Sequence, residues 1–270
     1  MGTPFIDRRR RPRGRWHFLA DWLYRELRFI GRHIRGFWAA IVAFLAVGFG
    51  VGAASGLVFA AFGQLVMTGA TQAFDESVLR LGASLRTPTL DAAMLEITSL
   101  GNAMVLYTMV GIASIFLWLT DHRYSAALLI VAVVGGDLMN DLLKSFYARP
   151  RPGVVAWGTR VHSASFPSGH AMGAVVAYGS VAFLVGRLEP GSRLRHATWA
   201  IAILLIVAVG VSRVYLGVHY PSDVIAGFMA GTAWTAFVAA TITAIRFFAE
   251  RKPEVERTEH DLHIEERRRE

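Results

Sequence analysis

Long apolar runs separated by short polar joints dominate this sequence. Each run approaches the roughly 20 mostly apolar residues that a helix needs to cross a membrane. Six such runs can be drawn, at about residues 37–61, 102–119, 124–147, 170–186, 197–215 and 221–247. Together with their joints they occupy most of the 270 residues. The pattern predicts an all-α, polytopic membrane protein with six transmembrane helices.

A basic amphipathic segment precedes the first run. Between Trp16 and Ile34 apolar residues recur at spacings of three and four with arginines between them, a pattern typical of a helix in the membrane interface. A basic solvated tail is the alternative interpretation. We expect three parts: a basic arm with this amphipathic helix over residues 1–36, a six-helix membrane domain over residues 37–248, and a charged cytoplasmic tail over residues 249–270.

Composition agrees with the membrane prediction. Hydrophobic residues make up 54% of the chain and charged residues 18%, which is too apolar for a soluble domain. The formal net charge is +8, but the excess lies in the N-terminal arm and near the predicted span ends. It therefore predicts contact with anionic lipid headgroups and not with nucleic acid.

Cysteine is absent, which excludes disulfides, thiolate nucleophiles and Cys-based zinc sites.

The basic residues of the joints predict the orientation. With the N-terminus inside, the basic arm, Arg123, the arginines of the joint 187–196 and the tail all face the cytoplasm, as the positive-inside rule requires. The arginine-rich, lysine-poor composition fits a bacterial protein. We expect a multi-pass protein of the bacterial cytoplasmic (inner) membrane, with both termini cytoplasmic.

Three polar segments then reach the extracytoplasmic face together. They are residues 144–152, residues 167–170 and residues 212–223. Cations at the ends of membrane spans are costly without an anionic partner. Lys144, Arg151 and Arg213 are suited to hold one phosphate group, whose charge is about −2. The sequence therefore predicts an extracytoplasmic phosphate site.

These residues resemble the three-part signature of the type 2 phosphatidic-acid phosphatase superfamily, which reads K-x6-RP, PSGH and SR-x5-H-x3-D. Every signature position is filled between Lys144 and Asp223. The resemblance implies six spans and the hydrolysis of a lipid phosphate or diphosphate. Undecaprenyl diphosphate, phosphatidylglycerol phosphate and phosphatidic acid are the candidate substrates that it implies.

The chemistry of the two signature histidines agrees with this resemblance. We expect neutral His219 to attack phosphorus and form a phosphohistidine, with Asp223 orienting the imidazole. His170 is expected to protonate the leaving oxygen and then to activate water. Because Pro221 disfavours helical geometry at Tyr220, we expect the pairing of His219 with Asp223 to span a helix start.

The phosphate oxygens are expected to meet cations and helix N-terminal donors. Lys144, Arg151 and Arg213 supply charge, while Ser168 and the backbone N–H groups of Gly169 and His170 lie where a helix N-terminus favours an anion. These groups are sufficient to stabilise the transferring phosphoryl group, so no metal or other cofactor is expected.

Other interpretations remain open at this level. A zinc site built from His162, His170 and His219 is disfavoured by the neighbouring cations. The same phosphohistidine would also serve a lipid phosphotransferase, and related signatures bind vanadate in haloperoxidases; a non-catalytic scaffold is a further alternative. Three polar residues inside the third span have either a functional role near Lys144 or a role in interhelical hydrogen bonding. They are Asp137, Asn140 and Asp141.

Overall fold

A computed structural model describes residues 37–244 of the chain. The expected basic arm and amphipathic helix of residues 1–36 and the expected tail of residues 249–270 lie outside this range. The chain divides into two compact units, residues 1–49 and residues 50–270. All side-chain contacts described below belong to the second unit.

The regular structure of residues 37–244 is entirely α-helical, in agreement with the predicted all-α class. In chain order the helices are α1 (Phe37–Met67), α2 (Gln72–Ser84), α3 (Pro88–Ser99), α4 (Ala103–Leu119), α5 (Arg123–Tyr147), α6 (Gly169–Leu188), α7 (Ser192–Tyr215) and α8 (Pro221–Ala244).

Four of these helices, α5 to α8, are long and apolar enough to cross a membrane. Two bent pairs reach the required length only when each is counted as one span: residues 52–67 with α2, at an angle of 77°, and α3 with α4, at an angle of 43°. Residues 37–244 therefore contain four to six candidate spans. Helix α1 also runs beyond the predicted end near residue 61, to Met67.

Short polar breaks produce the two bends. After α1 the chain turns at Gly69, whose φ of +81° is in the left-handed region that suits glycine. Helix α3 begins at Pro88, because the Thr87 hydroxyl accepts a hydrogen bond from the Leu90 amide at 3.2 Å and proline suits the first turn. Asn102 caps α4 in the same way, through the Met104 amide at 3.0 Å.

Helix α6 is the central element, and it packs against α4, α5 and α7. Helix α8 approaches it at two glycines: a Cβ at Gly227 would lie 2.7 Å from the Ser168 carbonyl oxygen, and one at Gly231 would lie 2.9 Å from that of Met172. Small residues allow two backbones to come this close. The start of α6 is thereby held against the first turns of α8.

The three polar signature segments meet at one end of this bundle. They occupy the end of α5, the start of α6, the end of α7 and the start of α8. The irregular loop of residues 148–168 crosses the same end. Arg86 fastens this loop to α7, since it donates to the carbonyl oxygens of Ala156 at 2.7 Å and Tyr215 at 3.0 Å.

Candidate active site

The candidate nucleophile His219 lies in the short link between α7 and α8 and is 1% exposed. Its Nδ1 atom is 3.6 Å from Oδ2 of Asp223 and 3.5 Å from the Ser165 hydroxyl. The same carboxylate oxygen accepts hydrogen bonds from the Tyr220 amide at 2.9 Å and from Ser165 at 2.5 Å. Since α8 begins at Pro221, the pair spans a helix start, as the proline predicts.

Arg151 contacts the opposite nitrogen of the same imidazole. Its Nη1 atom lies 3.2 Å from Nε2 of His219. A guanidinium group can only donate, so Nε2 is the acceptor and the ring proton belongs on Nδ1, facing Asp223. Burial lowers the pKa of His219 to about 4; Arg151 and Arg213 act in the same direction and Asp223 opposes them. The imidazole is therefore neutral at neutral pH.

Two of the signature cations converge on one hydroxyl group of the loop. Lys144 Nζ donates to Ser163 Oγ at 3.0 Å, and Arg151 Nη2 contacts the same atom at 3.2 Å. Arg151 also donates to the backbone carbonyl oxygens of Ser163 at 2.7 Å and Val218 at 2.6 Å. The Ser163 oxygen thus occupies the kind of position that a phosphate oxygen would take between two cations.

Arg213 and Ser168 each carry a buried polar atom without a hydrogen-bond partner among the described residues. Arg213 is 2% exposed, and its Nη1 atom donates to Thr98 at 2.9 Å, but its Nε atom has no partner. Ser168 stands at the N-cap of α6; its amide donates to the Asp223 carbonyl oxygen at 3.0 Å, yet its hydroxyl is unpartnered. Arg86, Ser114, Ser180 and Thr235 also carry such atoms, but only Arg213 and Ser168 among these residues belong to the signature segments.

His170 lies in the first turn of α6, beside the same cations. Lys144, Arg151, Arg213 and His219 are all close enough to act on it electrostatically. Gly101 leaves room for its ring, because a Cβ there would lie 3.3 Å from the His170 side chain. The structure thus brings Lys144, Arg151, His170, Arg213 and His219, from all three segments, together.

A cavity of about 190 Å³ opens on the His170 side of this cluster. Lys144 and His170 line it, whereas His219 and Arg213 do not. Its other lining residues come from the segment before α4 and from α4, α5 and α6, and include Gly101, Leu106, Tyr107, Val133, Asp137, Asn140, Asp141, Gly173 and Val176.

The polar residues of the third predicted span face this cavity. The Tyr107 hydroxyl donates to Asp137 in a short hydrogen bond between α4 and α5, and Asn140 donates to the sulfur of Met172 on α6 at 3.5 Å. Asp137 and Asn140 thus make interhelical hydrogen bonds, which is one of the two roles left open by the sequence. These residues also line the cavity that contains Lys144 and His170.

Some residues of the site were missed by sequence reasoning. Arg149, inside the variable part of the first signature segment, donates to Asp223 and to the distant Asp75. Ser163 and Ser165 lie in a loop where serines are common, and nothing in the local pattern separates them from ordinary loop residues. For Arg149 the one available signal was its charge next to a span end.

The three histidines of the alternative zinc site do not form a metal-binding group. Within residues 37–244, no group of three or more His, Asp or Glu side chains has the arrangement of a metal site. His162 is exposed in the loop, while His219 is buried against Arg151.

Comparison with known proteins agrees with this geometry. The model of the PAP2 superfamily matches residues 123–247. Phosphatidylglycerophosphatase B of Bacillus subtilis is 34% identical over 178 residues, which are 65% of this chain and 86% of that protein. The undecaprenyl-diphosphatase BcrC of Bacillus subtilis is 32% identical over 154 residues, which are 53% of this chain and 70% of that protein.

A solved structure is also similar. The crystal structure of a transmembrane PAP2 type phosphatidylglycerolphosphate phosphatase from Bacillus subtilis superposes with a TM-score of 0.67 at 30% identity, over 72% of this chain and 96% of that one. The chain belongs to the PAP2 superfamily. It is a helical, multi-pass membrane protein of that superfamily.

Proposed function

We propose that this protein hydrolyses the phosphate of a membrane lipid through a covalent phosphohistidine on His219. The observation that carries the proposal is the environment of that histidine: buried and neutral, with Nδ1 at Asp223 and Nε2 at Arg151. This environment suits nucleophilic attack on a bound phosphate, because the imidazole is neutral, one of its nitrogens faces a carboxylate and the other lies at a cluster of cations.

Phosphate binding would replace the contacts that the cations make now. A lipid phosphate entering the cluster takes the place of Ser163 between Lys144 and Arg151 and pairs with the free donors of Arg213 and Ser168. Arg151 then turns from Nε2 of His219 to a phosphate oxygen. The lone pair of Nε2 is released toward phosphorus.

In the first chemical step, Nε2 of His219 forms a bond to phosphorus as the bond to the leaving oxygen breaks. The electron pair of that bond goes to the leaving oxygen, which takes a proton from the imidazolium form of His170; the negative charge of the bound phosphate favours this form among the cations. Asp223 stabilises the positive charge that develops on the His219 ring. Lys144, Arg151 and Arg213 balance the charge of the equatorial oxygens.

In the second step, water attacks the phosphohistidine and His170 takes its proton. The phosphorus–nitrogen bond breaks, its electron pair returns to Nε2, and inorganic phosphate leaves. No step requires a metal ion, so we propose a metal-independent reaction.

The cavity beside His170 is suited to hold the leaving group. In-line displacement puts the nucleophile and the leaving oxygen on opposite sides of phosphorus, and this cavity is lined by His170 but not by His219. Apolar residues such as Leu106, Val133 and Val176 also line it. A lipid can thus keep its apolar part in the cavity and the membrane while its phosphate reaches the cations.

We also propose a topology and a location. Each bent helix pair counts as one span, which gives six spans, with the basic arm of residues 1–36 and the tail of residues 249–270 in the cytoplasm. Arg123, Arg187 and Arg193 lie at the helix ends opposite to the candidate site, so the positive-inside rule favours an extracytoplasmic site. The location is the bacterial cytoplasmic membrane.

The test is phosphate release from a panel of lipids by the purified protein. The panel contains phosphatidylglycerol phosphate, undecaprenyl diphosphate and phosphatidic acid, with His219→Gln as the blank. Release from at least one lipid by the wild type, and none by the variant, supports the proposal. Equal release by the two proteins, or none from any lipid by the wild type, contradicts it. An added acceptor alcohol that collects the phosphoryl group instead of water would favour the transferase.

A further inference from the structure

Arg149 is a buried cation that none of the proposed catalytic steps uses. It is 6% exposed. Its Nη1 atom donates to Oδ1 of Asp223 at 2.6 Å and to the Ser222 hydroxyl at 2.9 Å. Its guanidinium carbon also lies 4.1 Å from the centre of the Tyr220 ring. Arg149 therefore holds the carboxylate oxygen of Asp223 that His219 does not contact.

The second carboxylate bound by Arg149 comes from a distant part of the chain. Nη2 of Arg149 donates to Oδ2 of Asp75, on α2, at 3.1 Å. Asp75 is fully buried and also accepts hydrogen bonds from the amide of Ser222 at 3.0 Å and from its hydroxyl at 2.5 Å. It thus fastens α2 to the first turn of α8, which carries Asp223.

One cation between two carboxylates has an electrostatic consequence. Paired with Arg149 alone, Asp223 would have most of its charge neutralised, and it would stabilise a positive His219 ring poorly. Asp75 offsets the charge of Arg149. The negative charge of Asp223 therefore remains available at Oδ2, the oxygen 3.6 Å from His219 Nδ1.

We propose that Arg149 and Asp75 are positioning residues for the candidate nucleophile. Arg149 fixes the rotation of the Asp223 carboxylate so that Oδ2 faces His219, and Asp75 balances the charge of Arg149 and anchors the start of α8. This inference rests on the proposed phosphohistidine chemistry. It assigns a catalytic consequence to a contact between α2 and the first signature segment.

A purely structural ion pair is the competing explanation, because breaking a buried pair leaves an uncompensated charge and destabilises the fold. The two explanations differ in what happens to the correctly folded molecules. Loss of folding lowers the number of active sites and leaves the rate of each site unchanged. Loss of positioning lowers the rate of each site, and it does so only while Asp223 is present to transmit the effect.

The experiment is a double-mutant cycle between Asp75→Asn and Asp223→Asn. Single-turnover formation of phosphoenzyme is measured with a labelled lipid phosphate, and rates are expressed per active site from the burst amplitude. By analogy with residues that orient metal ligands, Asp75→Asn should slow this step roughly 10–100-fold. In the Asp223→Asn background, Asp75→Asn should slow phosphoenzyme formation by less than about threefold. The effects of substitutions at residues that act as a unit are not additive.

Two further variants keep the test decisive. Arg149→Lys retains the charge but loses the forked geometry, and it should slow phosphoenzyme formation per site while substrate KM stays within about twofold. Asp91→Asn is the matched control. Asp91 is a partly buried carboxylate that accepts a hydrogen bond from Tyr215 at 2.7 Å and does not contact Arg149. The rate of phosphoenzyme formation per active site should not change in this variant.

Additive losses in the cycle, or normal rates per active site in Asp75→Asn and Arg149→Lys, overturn the inference. These results are distinct from failure of the proposed function, which shows as the absence of phosphoenzyme in the wild type or its persistence in His219→Gln. Absence of wild-type phosphoenzyme also overturns the inference, because no nucleophile remains to be positioned.

Discussion

Nη1 of Arg151 lies 3.2 Å from Nε2 of His219 and so determines which imidazole nitrogen carries the proton. A guanidinium has no acceptor, and the ring must therefore place its proton on the side of Asp223. This tautomer leaves Nε2 as the nucleophilic atom. The contact links the first signature segment to the third, and neither alone would fix the ring.

Replacing Arg151 by lysine tests this contact. Arg151→Lys keeps a positive charge but loses the fork that reaches His219, Ser163 and Val218 together. We expect kcat/KM for lipid phosphate hydrolysis to fall roughly 10²–10³-fold, as on removal of one preorganised donor. Arg160→Lys, an exposed change in the same loop, is the control and should stay near wild type. A loss below tenfold would assign Arg151 a minor role.

Arg213 is a second cation that we expect the reaction to require, since its buried Nε atom has no hydrogen-bond partner among the described residues. Arg213→Ala is expected to lower kcat roughly 10²–10³-fold, measured as phosphate release at saturating substrate. Arg193→Ala removes an exposed arginine near the opposite end of the same helix and should have little effect. Similar losses in both variants would mean that the helix, and not the phosphate site, responds to the change.

The lowered pKa of His219 predicts a pH-dependent stability. Its folded-state pKa of about 4 lies below the ordinary value of about 6.5, so the unfolded state takes up this proton first. The resulting stability is present above pH 6.5 and is lost as the pH falls toward 4. Between pH 7 and pH 5 the loss is about 2 kcal/mol, or roughly 4–8 °C in Tm.

Thermal unfolding in detergent checks this expectation by comparison with His219→Asn, which lacks the titrating ring. The Tm of the wild type should fall by the larger amount between the two pH values. Equal shifts for the two proteins would show that the pKa of His219 is not depressed in the fold.

Filling the cavity beside His170 should slow hydrolysis of lipid substrates more than hydrolysis of short, soluble ones. Gly173 lines the cavity, and a Cβ there would meet only Leu106, at 3.1 Å. Gly173→Val should lower kcat/KM for a lipid substrate roughly tenfold or more while hydrolysis of a short, soluble phosphate ester changes little. Gly179→Val adds the same side chain to the same helix at a site with no atom within 4 Å, and should leave both substrates unaffected. Equal losses on lipid and soluble ester would place the leaving group elsewhere.

Chelation tests the proposed independence from metals. Activity should change less than twofold after treatment with EDTA, since Lys144, Arg151 and Arg213 supply the positive charge that a metal ion would otherwise provide. Vanadate, which resembles the transferring phosphoryl group, should inhibit the chelated enzyme. Loss of activity in EDTA that zinc restores would revive the zinc hypothesis.

Hydropathy predicted much of the fold. The long apolar runs place α5 to α8 to within a few residues. The bends at α1–α2 and α3–α4 were not predicted, because a break of a few residues between apolar segments gives no information about the angle between them. These bends matter, since they bring Asp75 to the candidate site.

The predicted topology likewise indicated that the segments of Lys144, His170, Arg213 and His219 come together at one membrane face. It did not predict the contacts of Arg149 with Asp75, which is 74 positions away in the chain. Long-range pairs of this kind leave no periodic signal in a single sequence. The ion pair of Asp75 with Arg149 is therefore visible only in three dimensions.

Trapping the phosphoenzyme tests the central claim most directly. The wild type and His170→Asn, in which the attack of water should be slow, are mixed with a lipid labelled in its phosphate, stopped in alkali and mapped by peptide. We expect an alkali-stable, acid-labile label on the peptide containing His219, greater in His170→Asn and absent from His219→Gln. A label on another residue, or hydrolysis by the wild type with no labelled peptide in either protein, would contradict the account.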